Sequence, residues 1–108
     1  MTLEQAKRLK EMGFPQEGIQ NYYQEISGNC IGKIIAVDPT AEEALAWVAG
    51  KLTEKGFVIN FLISKSFIST TVMNAVTNEK KFIEIFDTLS DAVYALIIWA
   101  HENKLLEA

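Results

Sequence analysis

Three segments of the chain repeat apolar side chains at the spacing of one helical face. Residues 2–12, 40–55 and 89–103 each show this period, with charged residues falling mostly on the other side. Each begins at or directly after a threonine that can cap a helix, with a suitable partner three positions on: Thr2 with Gln5, Thr40 with Glu43 and Thr88 with Asp91. Gly13 and Gly56 follow the first two segments, as glycine commonly does where a helix ends. We predict three helices.

The stretch between the second and third helices has the composition of strands. Residues 57–63 are rich in aromatic and branched side chains and apolar on nearly both faces, which favours a central strand covered on more than one side. Residues 67–76 alternate between apolar and polar, residues 77–80 suit a hairpin connection, and residues 81–86 return antiparallel. A helix over residues 79–86 is the alternative, because Phe82, Ile85 and Phe86 also suit a 3.6-residue period.

Residues 16–38 give a weaker pattern. Tyr22 and Tyr23 suggest a strand, Ser27-Gly28-Asn29 suits a turn, and residues 31–37 read as a second strand. A short hairpin fits this segment, although Gly32 weakens its second strand.

Together these segments predict an α+β fold in one domain spanning residues 1–108. About three to five antiparallel strands are packed by two or three helices, in the order α-β-β-α-β-β-β-α. We expect the sheet to lie mainly in residues 57–86, covered by helices 40–55 and 89–103, with helix 2–12 alongside.

The net charge and the length of the longest apolar run limit the kinds of partner that the chain can bind. The chain has 108 residues and a formal net charge of -4, and its basic patch of Lys7, Arg8 and Lys10 is diluted by Glu4 and Glu11. Because nucleic-acid binding draws its affinity from cations on phosphates, we expect no nucleic-acid partner. Residues 92–100 form the longest apolar run, too short for the ~20 residues that a membrane span needs. We expect a soluble, cytoplasmic protein without a membrane partner.

The residues that could carry catalysis are few. Cys30 is the only cysteine and His101 the only histidine, so we expect no disulfide, no metal site and no catalytic triad. Cys30 is expected to be a small buried hydrophobe, and His101 to lie near a helix C-terminus. Glu84, bracketed by apolar residues, is a weak candidate for a functional acid. We expect no cofactor, and the balance favours a protein that is not an enzyme.

The last helix carries more apolar side chains than one face needs. Leu89, Val93, Leu96, Ile97 and Ala100 form the first face. A second stripe follows at i, i+4, i+7 and i+11, formed by Tyr94, Ile98, His101 and Leu105, with Trp99 beside it. A helix apolar all round is buried on more than one side, against another helix of the same chain or against a partner. These five residues, with Tyr22 and Tyr23, are the candidate partner-binding residues.

Short elements over most of the chain match a known group. They are Ala6-Lys7-Arg8-Leu9-Lys10, Gly13-Phe14-Pro15-Gln16, Tyr22-Tyr23, Pro39-Thr40, and Thr88 followed by Ala92-Val93. In these the chain resembles a loose group of small uncharacterised proteins of bacterial phage and prophage genomes, from whose pattern it departs around residues 64–76. The resemblance implies a compact α+β accessory protein and carries over no activity and no catalytic residues.

Two functions remain open. The first is a non-catalytic protein-protein interaction or accessory module, phage- or prophage-derived as the resemblance implies, which binds a protein partner or a second copy of itself. The alternative is a small-ligand-binding domain or weak enzyme with a pocket between the sheet and the helices.

Overall fold

The helices and strands follow the predicted order. The computed structural model describes residues 1–27 and 30–107. In chain order the elements are helix α1 (Leu3–Glu11), strands β1 (Tyr22–Ser27) and β2 (Cys30–Val37), helix α2 (Ala41–Glu54), strands β3 (Phe57–Ile63), β4 (Ile68–Asn74) and β5 (Lys80–Phe86), and helix α3 (Leu89–Glu102). The α+β class and the order α-β-β-α-β-β-β-α are confirmed.

Threonine caps fix where the helices begin. At α2, Thr40 Oγ1 accepts a hydrogen bond from the Glu43 N–H at 3.1 Å, and Glu43 Oε1 accepts one from the Thr40 N–H at 2.8 Å. The same two-way capping box opens α1. Thr88 makes only the first of these bonds, from the Asp91 N–H at 3.1 Å. The Asp side chain is one methylene shorter than Glu, which explains the missing return bond.

The five strands divide between two sheets. Strands β1 and β2 form an antiparallel pair, so the predicted hairpin is confirmed, although Gly28 and Asn29 of its predicted turn lie outside the described residues. The second sheet has the order β3-β4-β5, antiparallel throughout. Residues 80–86 form a strand and not the alternative helix, because they pair with β4 along almost their whole length.

The position of β3 corrects one prediction. Residues 57–63 form an edge strand within the chain, and β4 takes the central place. The expectation of a strand covered on both faces is therefore wrong for the single chain: Val58 is 44% and Leu62 66% exposed on the outer face of the sheet. Apolar composition shows that a strand can be buried, but it does not show which neighbours cover it.

The core lies on the other face of this sheet. Helices α2 and α3 pack against each other and against the inner face of the sheet, and α1 packs against β2. Val48, Leu52, Val72, Leu96 and Ile97 are fully buried among these elements. Thr70, in the middle of β4, is also fully buried, and its hydroxyl has no hydrogen-bond partner among the described residues.

Candidate functional site

A groove of about 470 Å³ lies between α1, β5 and α3. One residue of α1, two of β5 and five of α3 line it: Arg8, Phe82, Glu84, Tyr94, Ala95, Ile98, Trp99 and Glu102. The inner face of β5, which carries Phe82 and Glu84, and one side of α3 meet in this groove.

Aromatic contacts hold the apolar floor of the groove. The rings of Phe82 and Trp99 lie 5.5 Å apart between centroids at a tilt of 35°. Phe57 approaches the same indole edge-on, at 6.3 Å and 90°. Such pairs contribute about 0.5–1.5 kcal/mol each beyond the area that they bury, so Trp99 is held before any partner arrives.

Three charged side chains surround this floor. Arg8 comes from α1, Glu84 from β5 and Glu102 from α3. Within the described residues none of the three side chains forms an ion pair; the pairs found there join the Met1 ammonium to Asp38 and Lys81 to Glu79. The groove thus offers one cation and two carboxylates that remain available to a bound molecule.

The structure brings together three of the seven predicted partner-binding residues. Tyr94 and Ile98 lie one helical turn apart on α3, Trp99 follows, and all three line the groove while remaining partly exposed. The apolar side chains of α3 therefore lie in two environments. The first face, including Leu96 and Ile97, is buried in the core, whereas Tyr94, Ile98 and Trp99 line the groove.

The other two residues of the predicted stripe lie elsewhere. His101 is exposed in the last turn of α3, outside the groove lining, and its position near the helix end agrees with the sequence expectation. Leu105 lies beyond the end of α3 and packs against the core. The i+11 spacing fails because the helix stops at Glu102, so the chain no longer follows the helical period at residue 105.

Tyr22 and Tyr23 belong to a separate cluster on β1. Tyr22 is 50% exposed, and the Tyr23 hydroxyl donates to the carbonyl oxygen of Met1. The Met1 ammonium donates to Asp38 Oδ1 at 3.1 Å. Burial, and then the nearby negative charge of Asp38, raise the pKa of Tyr23 above its usual value. Neither tyrosine lines the groove.

Sequence reasoning missed part of the groove. The sequence places Arg8 beside Lys7 and Lys10 in a basic patch, but Lys10 Nζ donates to the Ile35 carbonyl at 2.9 Å while Arg8 lines the groove. Phe82 and Glu102 carried no signal of their own. Glu84 did stand out by its apolar neighbours, and the register places it on the inner face opposite Thr70.

The described residues show no metal centre. In the ranges 1–27 and 30–107, no three His, Cys, Asp or Glu side chains are placed to hold a metal ion. The expectation of an inert, buried Cys30 concerns a side chain outside the described part. None of the helices in those ranges is long and apolar enough to cross a bilayer.

Comparisons with known proteins add no family. No protein-family model, curated protein or solved structure matches the chain.

Proposed function

We propose that this protein is a non-catalytic binding module that takes a short segment of a partner protein into the groove between α1, β5 and α3. One observation carries the proposal: the groove combines an aromatic floor, held in place by ring contacts, with three charged side chains that form no ion pair within the described residues. Tryptophan, tyrosine and arginine, here Trp99, Tyr94 and Arg8, are the residue types that most often dominate the affinity of protein interfaces.

The charges indicate the chemistry of the segment. An apolar or aromatic side chain fits against Trp99 and Ile98, where it is removed from water. A lysine or arginine beside it meets Glu84 or Glu102, and the net charge of -4 attracts a basic segment from a distance. Because these charges lie at an open surface, salt weakens the attraction.

Trp99 can report on the groove directly. The chain has two tryptophans, and the other, Trp47, packs edge-on against Phe14 at 5.2 Å, outside the groove lining. A Trp47→Phe variant leaves Trp99 as the only indole. Peptides selected from a random library on the immobilised protein are then titrated while Trp99 fluorescence is followed. We expect saturable changes from peptides that combine an aromatic or aliphatic anchor with a basic residue.

Two variants on α3 separate groove binding from general adhesion. Ile98→Glu places a carboxylate on the apolar floor and is expected to weaken the selected peptides about tenfold or more. His101→Glu adds a carboxylate at an exposed site outside the groove and is expected to leave them unchanged. Selected peptides that bind Ile98→Glu as tightly as the parent would contradict the proposal.

The volume of the groove favours a second candidate, a small-molecule ligand. Ligand pockets measure roughly 300–1,000 Å³, a range that includes this groove. A thermal-shift screen against nucleotides and metabolites distinguishes the two, because a ligand at 100 times its Kd adds about 2.7 kcal/mol of stability. A shift lost in Ile98→Glu but kept in His101→Glu would favour the small molecule.

Two narrower expectations stay predictions. A homodimer formed through the second stripe of α3 rests on Tyr94 and Ile98, whose positions serve the groove equally well. An accessory role of phage or prophage origin rests on the short matching sequence elements alone.

A further inference from the structure

The two edges of the β3-β4-β5 sheet are built differently. Strand β5 carries Lys80, Lys81 and Glu84, and its pairing with β4 is irregular between Val72 and Met73. Charged side chains and bulges are the usual means by which an edge strand avoids pairing with another chain. The β5 edge is therefore protected.

The β3 edge has none of these features. Its sequence, FVINFLI, holds no charged residue, no proline and no glycine, and it pairs with β4 without a register shift over its whole length. In the described part of the chain no other strand pairs with its outer side. A regular, apolar, uncharged edge is a template for another strand.

The hydrogen bonds at both ends of the pairing show which backbone groups of β3 are unpaired. The Ser64 N–H donates to the Phe67 carbonyl at 2.9 Å, and the Ala75 N–H donates to the Gly56 carbonyl at 2.8 Å. Hydrogen-bonded pairs recur at every second residue of an antiparallel ladder. Even-numbered residues of β3 therefore bond to β4, and the N–H and C=O groups of Phe57, Ile59, Phe61 and Ile63 point away from it.

From this edge we infer that a second copy of the chain pairs with β3, antiparallel, about a two-fold axis at Asn60. Phe57 then lies opposite Ile63 of the second copy, and Ile59 opposite Phe61. Every outward N–H and C=O finds a partner, with about eight hydrogen bonds across the axis. The inference concerns a different edge of the sheet from the groove and does not depend on the proposed function.

The side chains fit the same arrangement. On the outer face, Val58 meets Leu62 of the second copy, which covers two exposed apolar groups. On the inner face, Ile63, which is 68% exposed in the single chain, gains Phe57 of the second copy as a neighbour. At the axis, Asn60 of one copy lies beside Asn60 of the other, where the two side-chain amides can hydrogen-bond to each other.

Several features favour a second copy over an unrelated strand. Pairs related by the axis join apolar to apolar residues throughout, and the one polar residue, Asn60, meets itself. The pairing also stops at two chains, since the protected β5 edges become the outer edges of a six-stranded sheet. In that sheet β3 is a central strand, as its composition suggests.

The test is the mass of the full chain in solution, measured by light scattering and sedimentation from about 1 to 300 μM, a range suited to a micromolar Kd. We expect the mass to rise from 12.1 kDa toward twice that value. Asn60→Lys places two ammonium groups at the axis and is expected to raise the dissociation constant about tenfold or more. A mass of 12.1 kDa at every concentration would overturn the inference.

Two further variants make the result specific. Ile85 is 66% exposed, like Leu62, on the same outer face, but it belongs to β5, so Ile85→Lys is expected to leave the dissociation constant unchanged. Equal weakening of dimerisation by Ile85→Lys and Asn60→Lys would show stacking of sheet faces and overturn edge pairing.

A proline variant covers the case in which Asn60→Lys does not fold, as judged by circular dichroism. Ile63→Pro removes an outward N–H without affecting the hydrogen bonds to β4, and it is expected to dissociate the dimer. An Ile63→Pro variant that folds and dimerises like the parent would contradict the pairing.

Discussion

Strands β3 and β5 flank the same central strand and have the same length, yet their free edges are opposites. The β5 edge carries three charges and an irregular register, and beside it opens a groove whose charged groups form no ion pair in the part of the chain that the structure describes. The β3 edge is apolar, uncharged and regular. One edge is protected against pairing with another strand and is bordered by the groove, while the other offers a full row of outward backbone groups.

This difference shows that charged residues, and not exposed apolar side chains, distinguish an edge strand that can pair from one that cannot. Both strands expose large apolar side chains on the outer face, with Leu62 at 66% and Ile85 at 66%, so exposure alone does not separate them. The charged residues do, because a desolvated charge at a strand edge opposes pairing. The absence of charge along seven residues of β3 is as informative as a motif.

The largest expected effect comes from proline at neighbouring positions of β3. Leu62→Pro removes an N–H that bonds to β4 at Ser69 and is expected to lower the free energy of unfolding by about 2–3 kcal/mol. Ile63→Pro removes an outward N–H and is expected to lower it by less than about 1 kcal/mol in dilute solution. Urea unfolding at low protein concentration measures both. Equal losses would show that the assigned direction of the N–H groups is wrong.

Removing the protection of β5 should change the assembly state. A variant with threonine at positions 80, 81 and 84 makes this edge uncharged, so each chain has two edges that can pair. We expect species heavier than twice 12.1 kDa by sedimentation at concentrations where the parent stays at or below that mass.

A matched control tests whether those heavier species come from the edge. It exchanges two lysines and one glutamate for threonine at the end of α2: Lys51, Glu54 and the C-cap residue Lys55. This control changes the net charge by the same amount as the β5 variant and leaves the sheet edges unchanged. We therefore expect it to show the same distribution of masses by sedimentation as the parent protein. Heavy species in both variants would point to general loss of solubility and contradict the role assigned to the β5 charges.

Thr70 tests the strand between the two edges. Its buried hydroxyl has no hydrogen-bond partner among the described residues, and its register neighbours are Phe61 on β3 and Glu84 on β5. Thr70→Val is expected to raise the free energy of unfolding by about 1 kcal/mol, since it removes an unsatisfied polar group and keeps the shape. Thr71→Val, on the outer face, is the control and should change it little. A destabilised Thr70→Val would show that the hydroxyl is used.

The smallest effect is expected far from both edges, at Tyr23. Its pKa is raised in the folded chain, by burial first and by Asp38 second, so folding favours the neutral phenol. The stabilisation is complete below the unfolded pKa near 10 and is lost as the pH rises through the folded value. Between pH 9 and 11 the melting temperature of Tyr23→Phe should fall less steeply with pH than that of the parent protein. Identical slopes would contradict this assignment.

The sequence predicts the elements of this fold well because their signals are local. Capping threonines, glycines at left-handed positions such as Gly13 and Gly56, and alternation in β4 all depend on neighbours within a few residues. The placement of β3 at an edge depends on which strands pair, which residues 57–63 do not encode by composition. The division of five strands between two sheets is set by the same long-range pairing.

Of the residues that line the groove, the sequence predicts only some of those on α3. The helical period of α3 predicts that Tyr94 and Ile98 share one face, and both line the groove. Arg8 and Phe82 come from elements distant in sequence, and they meet α3 only through tertiary packing. No local spacing carries that information.

The pairing of β3 with a second copy is tested most directly by a disulfide across the axis. Facing residues of a non-hydrogen-bonded antiparallel pair lie about 4.5 Å apart between Cα atoms, within the range for a disulfide. In a Cys30→Ser background, which removes the only native cysteine, Asn60→Cys is oxidised and run on a non-reducing gel, with Ile85→Cys as control. We predict that Asn60→Cys converts mostly to a species of twice 12.1 kDa while Ile85→Cys stays at 12.1 kDa, and equal, slow cross-linking of both variants would contradict the pairing.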